Sequence, residues 1–266
     1  MKRIKLTVSY DGTNYVGWQV QKNGLAIEEV INQHLSKLLE EEITIIGASR
    51  TDSGVHALGN VAIFDTETRI PSEKIALAMN QSLPDDIKIV RSEEVSADFH
   101  PRYHAVTKTY QYNILNSRVN LPLNRLYSDY VYYELDTEKM RQAAQYLLGE
   151  HDFVAFSSAG GQQNSSVRRI DSIDIEEEPV RADTESSSPS DHMFPPKLIH
   201  ITITGNGFLY NMVRIIAGTL EKVGMGIYPP EYVKEILESR DRSLSAPKAS
   251  ARGLTLIKID YFEPVC

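Results

Sequence analysis

Between Ile4 and Val90 the apolar residues change their period repeatedly, and the order of those changes restricts the topology more than any other feature of the chain. "IKLTVSY" alternates apolar and polar residues and predicts a strand over Ile4–Tyr10. "AIEEVINQHLSKLLEE" sets Ile27, Val30, Ile31, Leu35, Leu38 and Leu39 at helical spacing, which predicts an amphipathic helix over Ala26–Glu41. Short strands are expected at Ile43–Ile46, in "VAIFD" and at Ile87–Val90, with a helix opened by Pro71 and reaching Ser82. The sum is β-α-β-β-α-β, the ferredoxin-like or split βαβ order, whose sheet carries helices on one face and leaves the other free for a ligand.

The second half follows the theme loosely, without a detectable repeat. Val106, Lys108, Tyr110, Tyr112 and Ile114 fall on one face of a period-two run, and "YSDYVYY" and "LIHITITG" also read as strands. Helices are expected over Thr137–Leu148, capped by Asp136 and ended by Gly149, over "FLYNMVRIIAGTLEKVG", and after Pro230. "GLTLIKIDY" supplies a last strand. The expected class is α+β: two ferredoxin-like halves, 1–100 and 101–266, forming a largely antiparallel central sheet flanked by helices, with a cleft between the halves. Residues 181–196, rich in Ser, Pro and acids, read as a surface insertion or disordered loop.

A single cysteine, Cys266, excludes an internal disulfide or a thiolate metal site. No apolar run reaches the length of a membrane span, and the N-terminus alternates like a strand rather than a signal peptide, so a cytoplasmic location is expected. The seven histidines are scattered. His100 and His104 lie near Asp98 without a third convergent ligand, so no metal is expected, and His34 is expected to be a core residue of the first helix. The net charge of −8 is uneven: 171–191 holds eight acids and one arginine, leaving −1 for the rest. From Phe99 to Ser128 there is no acid, but there are Arg102, Lys108, Arg118 and Arg125, which permits a basic face.

The chemistry centres on "GASRTDSGVHALG", a glycine-punctuated loop with neither a P-loop lysine nor a dinucleotide fingerprint. By local pattern Asp52 is either an Asx-turn residue or a carboxylate that Arg50 keeps ionised and able to act as a nucleophile. Gly54 and Gly59 would let the backbone turn and approach a ligand. "K-x-Y-x-Y", from Lys108 to Tyr112, is either core or a base-stacking face.

"SRTDSGVHALGNVAIFDT" closely resembles the signature of the tRNA pseudouridine synthase A (TruA) family. The resemblance continues through "YDGTNYVGWQVQ", "FHPRYHAVTKTYQYNI", "GEHDFVAFSS", "GNGFLYNMVRIIAGTLEKVGMG" and "APKASARGLTLIKIDY", six motifs in order over nearly the whole chain. It implies the pseudouridine synthase fold, and an isomerase that converts uridine to pseudouridine at positions 38, 39 and 40 of the tRNA anticodon arm. It further implies base flipping, a homodimer and no cofactor. Asp52 aligns with the catalytic aspartate, and Arg50 with the arginine that displaces the target nucleotide. Tyr110 aligns with the tyrosine that packs on uracil, Arg214 with the arginine that pairs with the carboxylate, and Leu254 with a pocket-lining residue. Lys108 falls in the same segment as Tyr110 and is expected to bind substrate. Taken alone, Arg214 would read as a surface arginine snorkelling from an apolar helix. Ser49, Ser53 and Asn60 depart from the family pattern, as does the acidic insertion. A non-catalytic RNA-binding or tRNA-folding module on the same scaffold is the alternative, and intact Arg50, Asp52 and Tyr110 weigh against it.

Overall fold

The computed structural model describes residues 1–160, 165–180 and 194–261. It divides into two compact units, 1–109 with 255–266, and 110–254. Each is an open, largely antiparallel sheet flanked by helices, and the class is α+β.

In the first unit, β1 (Lys2–Tyr10) buries Ile4, Leu6, Val8 and Tyr10 on one face, as its alternation predicts. It is followed by α1 (Ile27–Leu39), β2 (Ile46–Gly47), β3 (His56–Thr66), α2 (Ile75–Asn80) and β4 (Ile87–Val95). β1 lies between β4 and β3, antiparallel to both, and β2 pairs antiparallel with β3. This is the split βαβ order read from the sequence. The chain's last strand, Leu254–Tyr261, joins β3 in parallel, with Thr255 opposite His56.

Helix α1 buries Ile27, Val30, Ile31, Leu35 and Leu39 and carries Glu28 and Glu29 in its first turn, where the helix dipole favours acids. His34 is half-buried and hydrogen-bonds Ser82 Oγ through Nδ1 at 3.0 Å, so it is no core residue. The strand expected over Ile43–Ile46 shrinks to Ile46–Gly47 for a specific reason. The amide of Ile43 donates to Ser36 Oγ and that of Ile45 to Asn32 Oδ1, both 2.9 Å. Side chains of α1 thus take the bonds that a ladder would have used. The helix expected from Pro71 opens instead as a 3₁₀ turn, Ser72–Lys74.

The chain enters the second unit within β5 (Ala105–Asn116). Then come β6 (Asp129–Val131), α3 (Thr137–Gln145), β7 (Gly149–Asp152), β8 (Val167–Pro179), β9 (Lys197–Gly205), α4 (Met212–Gly224) and α5 (Tyr232–Ser239), and the chain returns to the first unit in its last strand, β10 (Leu254–Tyr261). The sheet order is β5-β9-β8-β7, with β6 parallel to β5. Asp136 caps α3 as expected, its carboxylate accepting from Lys139 N at 3.1 Å. Helix α4 starts later than its apolar run suggests, because Asn211 sits in the left-handed region at φ 61.

Strand β8 is the element the sequence hides. Its register shifts between Ile170 and Ser172, so Asp171 bulges and Ile170 and Ile173 share the buried face at an odd spacing. The acids at 174, 176 and 178 occupy the outer positions. What reads as an acidic stretch is therefore half of a two-sided strand. Of the Ser/Pro insertion read over 181–196, residues 181–193 lie outside the described residues, and Val180 N donates to Pro196 O at 3.0 Å. Among the described residues no helix is long and apolar enough to cross a membrane.

Candidate active site

In the first unit, two loops build the site against each other: 11–26, after β1, and 48–55, between β2 and β3. Trp18 N donates to Thr51 O at 3.1 Å, and the Thr51 hydroxyl lies 2.7 Å from Tyr10 OH in a buried contact. Gly17 forms a bridge with Asp52. It has φ +109, and a Cβ there would lie 2.6 Å from Thr51 O, so only glycine lets the two backbones approach this closely. Asp52 to Val55 makes a tight turn closed by Val55 N to Asp52 O at 3.1 Å, with Gly54 at φ +76. Ser53 Oγ and Gly54 N both donate to Tyr15 O, at 3.2 and 3.4 Å. His56 Nδ1 lies 3.1 Å from both Gly12 N and Asp11 Oδ1. The family departure Asn60 is fully buried and donates through Nδ2 to Ser49 O at 3.1 Å. Gly59 lies within β3 rather than in the loop.

The result is an Asp52 that is half-buried on a turn fixed by backbone and buried side-chain bonds, with Arg50 exposed two residues earlier. Both cations that follow approach the same segment. Lys108 Nζ donates to Ala48 O at 3.0 Å and Ser49 Oγ at 3.2 Å, and Arg102 Nε donates to Gly47 O at 2.8 Å. Burial, reinforced by the charge of Arg50, pulls the Arg102 guanidinium below its ordinary value. Arg102 is the site neighbour missing from the sequence-derived set. Its signal was present in the F-x-P-R segment, but nothing local to it says which loop it reaches.

The remaining predicted residues belong to the second unit. Tyr110 is 8% exposed, and its ring meets Phe208 edge-on with centroids 5.2 Å apart. Leu254, 6% exposed, opens β10. Arg214 in the first turn of α4 is buried, which overturns the snorkelling alternative. Its Nε donates to Ala249 O at 2.9 Å, its backbone carbonyl accepts from Ala249 N at 3.0 Å, and its Nη1 donates to Asn211 Oδ1 at 3.0 Å. The guanidinium is thereby clasped by the segment that leads to Leu254.

That segment is held from behind. Tyr112 OH lies 2.9 Å from Asp129 Oδ2 and 2.9 Å from Ser250 O, and Ser250 N donates to the same Asp129 oxygen at 2.9 Å. Burial, then the Asp129 charge, drives the Tyr112 hydroxyl far above its ordinary value, so it remains a protonated donor. Glu221, on α4, has Oε1 shut off from solvent with no hydrogen-bond partner among the described residues. Burial, then the Asp129 charge, pushes its carboxyl up to about 8, against the weaker pull of Lys222.

A family model described as tRNA pseudouridine synthase matches residues 6–104 and 143–262. The tRNA pseudouridine synthase A of a Thermoanaerobacter species is 44% identical over 261 residues, spanning 98% of this chain and all of that protein. That of Ruminiclostridium cellulolyticum is 47% identical over the same coverage, and a Clostridium perfringens protein named tRNA pseudouridine synthase A 2 is 45% identical.

Proposed function

The chain belongs to the tRNA pseudouridine synthase A family, enzymes that isomerise uridine in tRNA, and from that premise we propose that Asp52 is its reacting carboxylate. The targets proposed are uridines 38, 39 and 40 of the anticodon arm. The N1–C1′ bond breaks, the uracil turns, and a C5–C1′ bond forms while C5 loses its proton and N1 gains one. No atom is gained or lost, and there is no net oxidation or reduction. Asp52 serves either as the nucleophile on this path or as the base that opens an elimination.

The other residues take the following roles. A paired or stacked uridine must first leave its stack, at a cost of a few kcal/mol. Arg50, exposed and planar, enters the vacated space and offsets part of that cost. Tyr110 packs on the uracil and Leu254 lines its pocket. Arg214 keeps the Asp52 carboxylate ionised and aligned, and Lys108 contributes to substrate binding. The enzyme works as a cytoplasmic homodimer that binds tRNA mainly through shape and phosphate contacts.

One observation carries the assignment of Asp52. Its turn is built by the Trp18–Thr51 backbone bond, the Tyr10–Thr51 hydroxyl contact and the close approach at Gly17, so the carboxylate is held on a fixed support. The test is tritium release from tRNA labelled at uridine C5. Wild type should release tritium and Asp52→Ala should release none, while both bind tRNA alike. Binding without release by wild type would favour the non-catalytic module, and full activity of Asp52→Ala would remove Asp52 from the chemistry. Light scattering of the purified protein tests the dimer.

A further inference from the structure

Ahead of β5 in the first unit, residues 99–104 form a turn held unusually firmly for so exposed a segment. His104 N donates to His100 O at 3.1 Å, and Arg102 N donates to His100 Nδ1 at 3.2 Å. Phe99 packs on Tyr261 with centroids 5.1 Å apart, and Tyr261 OH donates to Pro101 O at 3.0 Å. Arg3 Nη1 donates to Phe99 O at 3.1 Å, and Lys5 Nζ lies 5.7 Å from the Phe99 ring centroid. On this support stands Tyr103, 82% exposed, with one ring face stacked on His100 (centroids 4.2 Å, planes 23° apart).

An aromatic ring that is backed on one face, open on the other and fixed at its base meets the requirement for stacking a base without ordering cost. His100 Nδ1 accepts from Arg102 N, which puts the ring proton on Nε2. Burial, then the charge of Arg102, lowers the His100 pKa, so the backing ring is neutral rather than a second cation. Beside it, the Arg102 guanidinium is oriented by its Nε bond to Gly47 O, one end of the segment that carries Arg50. The like charge of Arg50 bears on Arg102 more strongly than the opposite charge of Glu28, and a phosphate would relieve that repulsion.

We propose that Tyr103, backed by His100, is a stacking platform for one unpaired nucleotide of the RNA substrate, and that the terminal nitrogens of Arg102 receive that nucleotide's phosphate. The proposal rests on the tRNA-modifying reading above and adds a contact to a nucleotide other than the reacting one. The platform positions substrate and takes no part in the chemistry.

The experiment uses full-length Tyr103→Trp with an anticodon-arm RNA, the signal of buried Trp18 being subtracted with wild type. Stacking should quench the new indole on RNA binding, and an RNA with an abasic site at the contacted loop position should bind without quenching. In steady state, Tyr103→Ala should raise KM about tenfold with kcat nearly unchanged, and Tyr103→Phe should restore wild-type behaviour. Arg102→Gln should reduce the slope of log affinity against log salt by about one. Unchanged indole emission on RNA that is demonstrably bound would overturn the platform. So would quenching by the polyanion heparin equal to that by RNA, or a Tyr103→Ala enzyme with wild-type KM. These outcomes are separate from failure of the functional reading, which would appear as wild-type protein that modifies no tRNA.

Discussion

Replacing Glu221 with glutamine should make this protein more stable at neutral and alkaline pH, and the amount follows from where the carboxyl sits. Glu221 Oε1 is closed off from solvent with no hydrogen-bond partner among the described residues, and Asp129 bears on it with like charge. In the folded chain its carboxyl titrates at about 8, against 4.5 ordinarily. A carboxyl raised on folding means that the native state holds a proton the unfolded state has already lost across that interval. Stability therefore falls as pH rises, by about 1.4 kcal/mol per pH unit from this group alone, to a total of up to about 5 kcal/mol. Below the ordinary value both states are protonated and there is no penalty. Above the folded value both are ionised and the penalty is constant. Glutamine has nearly the same shape and cannot ionise, so Glu221→Gln should match wild type near pH 4.5 and exceed it by about 3 kcal/mol near pH 7.

The assay is urea unfolding followed by far-ultraviolet circular dichroism, wild type against Glu221→Gln, at about pH 5, 7 and 9. The quantity of interest is the difference between the two proteins, since titrations shared by both cancel. A difference that stays constant with pH would refute the reasoning. A glutamine variant less stable than wild type near pH 9 would refute it more directly.

Three further substitutions probe other links. Gly17→Ala forces a Cβ to within 2.6 Å of Thr51 O at φ +109, so the loop bearing Asp52 must shift. Tritium release should fall on the order of 100-fold while circular dichroism stays native, because misplacement of about 1 Å is that costly. Asp65→Asn removes the carboxylate that Arg3 holds at 2.8 and 2.7 Å, a contact that keeps Asp65 below the ordinary carboxylate range. That stabilisation is present above pH 3.8 and lost as pH falls through the depressed value. Discounted for screening at a side chain 34% exposed, the cost near pH 7 in urea unfolding is about 1 kcal/mol, vanishing in strong acid. Asp136→Ala deletes the cap of α3 and should lower stability by about 1 kcal/mol at neutral pH in the same assay.

The elements legible in the sequence were those whose local pattern and tertiary role agree. β1 and α1 bury the residues their periods select, and Asp136 caps the helix it precedes. β8 was lost because a bulge at Asp171 breaks the alternation and its outer positions are acidic, so a paired strand looks like a solvated tract. The strand expected over Ile43–Ile46 is cut short because Ser36 and Asn32 of α1 take the amides of Ile43 and Ile45, a competition that propensity cannot register. The site followed the same division. Asp52 and Arg50 stood out by motif. The clasp on Arg214 depends on a carbonyl 35 positions away, and that of Arg102 on one 55 positions away, so neither leaves a periodic trace.

Glu221 bears on the site as well as on stability. One oxygen of Asp129 accepts from Ser250 N and lies 2.9 Å from Tyr112 OH. Ser250 adjoins Ala249, whose carbonyl and amide clasp Arg214. The carboxylate that disfavours an ionised Glu221 is thus the one that anchors the Arg214 clasp. The conflict is resolved by leaving Glu221 protonated rather than by giving up the anchor. As pH rises past about 8 Glu221 ionises and repels the Asp129 carboxylate that holds Ser250 N. If Arg214 supports catalysis as proposed, wild-type turnover should decline on that alkaline limb while Glu221→Gln keeps a flatter profile. A wild-type profile unchanged by the glutamine would show that Arg214 stays in place whatever the charge on Glu221, and would confine the effect to stability.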